Sequence, residues 1–139
     1  MNDCIFCKIA RDEAKAEKLF ETEKSVAFLD IQPRSPGHTL VIPKKHVVTI
    51  TDLEDEDIAE VFKTTRAVVQ ILKKALDPDG FNIGINDGRF AGQDVMHLHV
   101  NIFPRYAGDG GKSIHSIVYN PLSEDISETA ARIRTSANL

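Results

Sequence analysis

Apolar and polar residues alternate with period two in two stretches of the chain. One runs from Phe81 to Asn86 and the other from Met96 to Phe103. Side chains on a strand point alternately to opposite faces, so each stretch predicts a strand with its apolar set in a core. The second strand is expected to end at Pro104, which has no N–H to donate to a neighbouring strand. The loop between them contains Gly88 and Gly92 and would let the two strands pair.

Two further strands are predicted nearer the N-terminus, at residues 26–30 and 38–42. The turn between them contains two prolines and a glycine, and this short connection favours antiparallel pairing. The charged stretch from Arg11 to Lys24 is interpreted as a surface connection.

A long amphipathic helix is predicted between these two pairs of strands. Apolar residues recur at steps of three and four from Ile58 to Leu76. Thr51 and Glu54 match a capping box, which would start the helix at about Asp52. A second helix, capped by Ser123, is expected near the C-terminus and has a narrow apolar stripe. We interpret the long helix as scaffold that covers one face of the sheet.

These elements predict an α+β fold built on an antiparallel sheet. At 139 residues and 42% hydrophobic, the chain suits one domain with one core. A net charge of −4 argues against nucleic-acid binding through phosphate neutralisation. No apolar run suits a membrane span and no signal-peptide pattern is present, so a cytoplasmic location without membrane partners is expected.

The polar face of the strand at 96–103 carries His97, His99 and Asn101. Histidine is the side chain suited to proton transfer, nucleophilic attack or metal ligation near neutral pH. The alternative is a pair of partly buried, hydrogen-bonded histidines without chemistry. The glycine-containing loop just upstream favours a functional site, because glycine permits close approach of a ligand to the backbone.

Both cysteines lie in one motif, Cys4-Ile-Phe-Cys7. A thioredoxin-type Cys-x-x-Cys should follow a strand, but only three residues precede this motif, so the thioredoxin type is not favoured. The spacing fits half of a tetrahedral zinc site, and the chain has five histidines that could complete it. Two buried free thiols are the alternative.

Taken together, four stretches resemble the histidine-triad (HIT) superfamily, in its Hint-like bacterial branch with an N-terminal Cys-x-x-Cys. They are residues 4–7, 28–46, 84–88 and 92–105. The resemblance implies a HIT-like domain over 1–139, with a core at 3–106 and a C-terminal extension at 107–139. It also implies an antiparallel sheet of about five strands that is extended across a homodimer.

Members of this family cleave a nucleoside monophosphate such as AMP from a leaving group on the α-phosphate, through a phosphohistidine intermediate. By resemblance His99 is the nucleophile, His97 the first triad histidine and His38 a supporting histidine. Asp30 would contact the ribose, and the remaining polar positions would surround the phosphate and leaving group: Asn86, Gln93, Asp94 and Asn101. The resemblance further implies a structural Zn²⁺ held by Cys4, Cys7, His46 and His97, and no organic cofactor.

Two positions depart from the family pattern. Asn101 stands where the third triad histidine is expected, and it can donate a neutral hydrogen bond but carries no charge. Asp94 stands where a hydroxyl residue is common. Two functions are therefore considered: a nucleotidyl hydrolase or transferase acting on a purine nucleotide such as an adenosine phosphoramidate, and a nucleotide-binding or interaction module whose turnover Asn101 impairs.

Overall fold

The computed structural model describes residues 3–139 as a five-stranded sheet with three α-helices. In chain order the elements are α1 (Ile5–Ala10), β1 (Lys18–Glu21), β2 (Ser25–Leu29), β3 (Thr39–Pro43), α2 (Asp55–Leu76), β4 (Gly80–Gly84), β5 (Val100–Arg105) and α3 (Ile126–Ala137), with 3₁₀ turns at Ile50–Asp52, Arg89–Ala91 and Ile114–Ser116. The sheet order is β1-β2-β3-β5-β4, and every neighbouring pair is antiparallel. The α+β prediction is confirmed.

The centre of the sheet is β5, which lies between β3 and β4. Asn101 is opposite Leu40 on β3 and opposite Gly84 on β4. The strand begins at Val100, so its predicted start at Met96 was wrong, and His97 and His99 lie in the segment that leads into it. It continues through Pro104 to Arg105, so the prediction that it ends at Pro104 was also wrong. Strand β5 pairs with β3 only as far as Ile102. Pro104 lies beyond that point, so its missing N–H costs no hydrogen bond to β3.

Helix α2 covers one face of the sheet. Its buried residues Val61, Val68 and Leu72 form one core cluster with Val100 and Ile102 of β5. Burying such side chains stabilises the fold by roughly 1.5–3 kcal/mol each. This packing leaves the opposite face of β5 for polar side chains.

The start of α2 differs from the prediction. The Thr49 N–H and hydroxyl both donate to the Asp52 carboxylate, at 3.0 and 2.9 Å, which closes a 3₁₀ turn. Leu53 then takes an extended conformation and is buried, so α2 begins only at Asp55 with Glu54 as its N-cap. The predicted capping box of Thr51 and Glu54 was therefore wrong, because burial of Leu53 interrupts the helix.

Two elements lie within stretches that gave no clear periodic signal. Helix α1 follows Cys4 directly, and β1 lies inside the charged stretch interpreted as a surface connection. Strand β1 is four residues long at the sheet edge, with Lys18 and Glu21 at its ends. Short, charged edge strands resist pairing with other chains, and their charges hide them from pattern analysis.

The C-terminal helix α3 begins at Ile126 with Asp125 as its N-cap, two residues after the predicted N-cap Ser123. None of its residues is buried. The side chains of Ile126 and Ile133 are 77% and 59% exposed, so the narrow apolar stripe does not pack on the rest of the chain. Across residues 3–139, no helix combines the length and apolarity needed to cross a bilayer.

Candidate functional site

The polar face of β5 and the residues just before it carry three buried side chains in a row. His97, His99 and Asn101 are 0%, 9% and 9% exposed. The intervening Leu98 and Val100 lie in apolar core clusters. Period-two alternation therefore divides this stretch into a structural face and a polar face.

Cys4, Cys7, His46 and His97 converge on one point next to α1. One ligand atom from each lies within 4.8 Å of the others. Cys4 Sγ and Cys7 Sγ are both 3.5 Å from His97 Nδ1, and Cys7 Sγ is 3.2 Å from His46 Nδ1. With Zn–S near 2.3 Å and Zn–N near 2.0–2.1 Å, a tetrahedral site has sulfur–nitrogen edges of about 3.6 Å. The four side chains therefore fit a tetrahedral metal site.

The ring of His97 is held in the form that a metal ligand requires. Its Nε2–H donates to the Pro43 carbonyl oxygen at 2.8 Å, so Nδ1 carries the lone pair that faces the two sulfurs. Burial, with a smaller contribution from nearby His46, lowers the pKa of His97 to about 4. A neutral imidazole at neutral pH follows from this environment.

Cys7 is buried, and burial raises the pKa of its thiol, with the Cys4 side chain adding to the effect. A bound divalent cation would reverse this preference, because it stabilises the thiolate. The arrangement can thus hold a metal ion. The Cys-x-x-Cys motif was interpreted either as half of a metal site or as two free thiols, and the structure supports the first interpretation, because the two cysteines lie in one cluster with two histidines.

On the other side of His97, a cleft of about 200 Å³ contains His99. The His99 Nδ1–H donates to the His97 carbonyl oxygen at 2.8 Å, so the lone pair is on Nε2. The Phe6 ring packs edge-on against His99, with centroids 5.2 Å apart. The imidazole is thereby confined in one orientation with one unbonded nitrogen. Such a nitrogen can act as a nucleophile.

His38 and Asn101 form a buried hydrogen-bonded pair in the same cleft. The Arg34 N–H donates to His38 Nδ1 at 3.2 Å, so the His38 proton lies on Nε2. That Nε2–H then donates to Asn101 Oδ1 at 3.0 Å. The Asp30 carboxylate is 3.7 Å from the same nitrogen. Because its oxygen is occupied, Asn101 is left with its amide nitrogen as a donor for a ligand.

The cleft brings together most of the residues that sequence resemblance assigned to nucleotide binding. They are Asp30, Asn86, Asp94, His99 and Asn101, with His38 beside them. Arg34 and Phe103 also line it and were not predicted. Arg34 could have been predicted from its position between Asp30 and His38, in the segment that joins β2 and β3.

Gln93 has a different place from the other predicted binding residues. It is 3% exposed, and its Oε1 accepts the Gly88 N–H at 2.8 Å. Its Nε2 donates to the carbonyl oxygens of Val48 and Val95, at 2.9 and 3.2 Å. The side chain thus closes the loop, in which Gly88 and Gly92 have positive φ angles of 96° and 99°. Its contact with a nucleotide remains a prediction.

A larger cleft of about 430 Å³ adjoins the first one. The two share Arg34, Asn86, Asn101 and Phe103. Ile83 on β4 and Ile114 and Ile117 of the C-terminal segment give the larger cleft an apolar wall. The two clefts together offer a polar region beside His99 and an apolar region next to it.

The comparisons with known proteins identify the family to which this fold and site belong. The HIT domain family model matches residues 11–108. An uncharacterized HIT-like protein of Methanocaldococcus jannaschii is 50% identical over 107 residues, which cover 77% of this chain and 82% of that protein. The chain is a member of the HIT family.

Two named relatives act on different nucleotide substrates. An adenosine 5′-monophosphoramidase of Schizosaccharomyces pombe is 44% identical over 102 residues, covering 73% of this chain and 74% of that enzyme. An adenylylsulfatase of Arabidopsis thaliana is 38% identical over 108 residues, covering 78% of this chain and 55% of that enzyme. At the level of the family, a role in nucleotide hydrolysis is supported.

Solved structures agree with the fold. A HIT family protein of Bacillus anthracis superposes with a TM-score of 0.87 at 34% identity, covering 99% of this chain and 96% of that one. A zinc-bound histidine triad family protein of Mycobacterium smegmatis superposes with a TM-score of 0.74 at 33% identity, covering 99% of both chains.

Proposed function

We propose that this protein is a nucleotide hydrolase or transferase of the Hint-like bacterial branch that cleaves AMP from a leaving group on its α-phosphate. The observation that carries the proposal is the state of His99. Its Nδ1–H is held by the His97 carbonyl, so Nε2 has a lone pair in the cleft at a fixed angle. A phosphohistidine mechanism requires a neutral imidazole of this tautomer.

The reaction has two steps. In the first, His99 Nε2 forms a bond to the α-phosphorus while the bond from phosphorus to the leaving group breaks. The leaving group keeps the electron pair, and an amine leaving group takes one proton from solvent. In the second step, water attacks the phosphorus, the bond to His99 breaks, and one proton returns to solvent. The histidine regains its lone pair, and AMP is released.

Polar groups around the cleft suit the nucleotide. Asn101 offers its amide N–H to a phosphate oxygen, because His38 already occupies its carbonyl oxygen. Arg34 supplies a positive charge at the same place. Asp30 is assigned to the ribose, and Asn86 and the loop closed by Gln93 to the phosphate side. Positioning and electrostatic stabilisation of this kind account for most of the catalysis of phosphoryl transfer.

A second candidate function is a nucleotide-binding or interaction module, and Asn101 is the observation that favours it. Histidine at this position could carry charge or relay a proton, and asparagine can do neither. Turnover separates the two candidates. The purified protein is expected to release AMP from an adenosine phosphoramidate over many cycles, whereas a binding module would bind AMP in calorimetry and release none from that substrate.

Replacing Asn101 by histidine is expected to raise kcat/KM for an adenosine phosphoramidate by about 10-fold. His38 Nε2–H would donate to one ring nitrogen of the new histidine, leaving the other to contact the phosphate. The matched variant Asn101→Leu keeps the volume without a donor and should lower kcat/KM by about 10-fold. If steady-state kinetics give wild-type values for both variants, position 101 does not contact the phosphate.

The protein is also proposed to be a homodimer whose interface includes α2 and β4. Strand β4 is an open edge of the sheet, and Phe62, Leu76 and Ile83 expose 44%, 42% and 41% of their surface. Exposed apolar side chains beside an unpaired strand edge are typical of protein interfaces.

Multi-angle light scattering at micromolar concentration is expected to give twice the chain mass of 15.4 kDa. Phe62→Asp should shift the equilibrium towards monomer, because it places a charge in the apolar interface. The control Ile31→Asp changes a residue that is 91% exposed and lies outside both elements. A wild-type monomer would contradict the proposal, as would equal behaviour of the two variants.

A further inference from the structure

Asp94 is an unpaired carboxylate at the cleft that contains His99. Three charged side chains line this cleft: Asp30, Arg34 and Asp94. Asp30 accepts the Gln32 N–H at 2.9 Å and lies near His38, so it belongs to the wall of the cleft. Within residues 3–139, the Asp94 side chain has neither an ion pair nor a hydrogen bond. Its charge is therefore available to whatever enters the cleft.

The loop holds Asp94 in place from both sides. The buried side chain of Gln93, immediately before it, donates to the Val95 carbonyl immediately after it. The same side chain is also bonded to Gly88 and Val48. The Gln93 side chain thus anchors the loop next to residue 94, while the Asp94 side chain itself remains exposed. The loop therefore keeps this carboxylate in the lining of the cleft, where its charge acts on a bound ligand.

We infer that Asp94 selects substrates by the charge of the leaving group, so that the protein acts on nucleoside phosphoramidates in preference to anhydrides with an anionic leaving group. This inference rests on the proposed hydrolase function and adds a specificity-determining residue to it. It assigns the carboxylate to the departing group, whereas Arg34 and Asn101 serve the phosphate.

The reason is the change of charge as the bond to phosphorus breaks. An amine leaving group takes the electron pair of the P–N bond and one solvent proton, which gives the neutral amine. At neutral pH the amine takes a second solvent proton and becomes an ammonium cation, which a carboxylate stabilises. A sulfate, carboxylate or phosphate leaving group takes the electron pair of a P–O bond and becomes more negative. The Asp94 carboxylate opposes that change, because like charges repel, and this repulsion is stronger where the local dielectric constant is lower.

The test compares kcat/KM for adenosine 5′-phosphoramidate and adenosine 5′-phosphosulfate, in the wild type and in Asp94→Asn, which has the same shape and no charge. The ratio of the two values is expected to favour the phosphoramidate in the wild type and to fall by about 10-fold in Asp94→Asn. Raising the salt concentration should shrink the difference, because Asp94 is exposed and its field is screened. Asp125→Asn, which changes an exposed carboxylate at the start of α3 outside both clefts, should keep the wild-type ratio.

Two outcomes separate this inference from the proposed function. If both substrates are turned over and the ratio is the same in the wild type and Asp94→Asn, charge selection by Asp94 is wrong while the hydrolase function stands. If neither substrate is turned over, the hydrolase function is wrong. In that case, calorimetry of the same two nucleotides binding to His99→Ala, with and without Asp94→Asn, tests whether Asp94 selects ligands by charge. A ratio of dissociation constants that Asp94→Asn does not change would overturn it.

Discussion

Replacement of His99 by alanine is expected to remove essentially all release of AMP from an adenosine phosphoramidate, a loss of at least about 10³-fold in kcat. The physical reason is that no other group replaces the lone pair on Nε2. His97 has its Nε2–H bonded to Pro43 and its Nδ1 directed at the cysteines. His38 has both ring nitrogens engaged, with the Arg34 N–H and with Asn101. Among residues 3–139, only His99 combines a fixed tautomer with an unbonded nitrogen in the cleft.

The control for this variant is His115→Ala, because His115 lies in the exposed turn Ile114–Ser116 outside both clefts. It should keep wild-type kinetics. Mass spectrometry of acid-quenched wild type should detect a nucleotidyl adduct on the peptide that contains His99, and the alanine variant should lack it. Substantial turnover by His99→Ala would mean that the nucleophile is another group.

Replacing Cys4 and Cys7 together by serine is expected to remove one bound zinc per chain and to lower the free energy of unfolding by at least about 3 kcal/mol. The proposed metal joins α1, the end of β3 and the start of the His97–Asn101 stretch, three segments far apart in sequence. In this variant two serine hydroxyls and the buried His97 remain in a site suited to a cation, with no metal to join the three segments. A fall in unfolding temperature of roughly 10 °C corresponds to that loss.

Metal analysis of protein purified without chelators, together with calorimetric unfolding, measures both effects. His46→Gln should behave like the cysteine variant, and His115→Gln, which changes an exposed histidine, should behave like wild type. Well under one zinc per wild-type chain would contradict the zinc assignment. An unchanged unfolding temperature in the serine variant would contradict its structural role.

The proposed zinc and the proposed nucleophile are connected through one residue. His97 directs its side chain at the metal ligands, and its carbonyl oxygen accepts the proton that defines the tautomer of His99. A metal that holds His97 therefore also holds the acceptor for His99. We expect loss of metal to lower kcat even where the protein remains folded, and the cysteine variants provide that measurement.

The elements that sequence analysis predicted well were those with a strong period. The apolar stripe of α2 and the alternation around β5 depend on burial against one partner surface, so their spacing is recorded in the sequence. Elements whose position depends on distant contacts were missed or shifted. Helix α1 is six residues long, β1 is four, and the start of α2 is displaced by burial of Leu53 against Val47 and Leu98. Local propensity contains no information about such contacts.

The sequence by itself determined the family, the α+β class and the chemical types available, because those depend on which residues occur and at what spacing. Only the tertiary structure decided which nitrogen of His97, His99 and His38 carries the proton, since each proton is set by a backbone partner, near or distant in sequence, that the folded conformation places beside the ring. It also decided that Gln93 closes its own loop and that Asp94 remains unpaired. Hydrogen-bond partners are a property of positions in space, and the spacing of residues along a chain does not contain them.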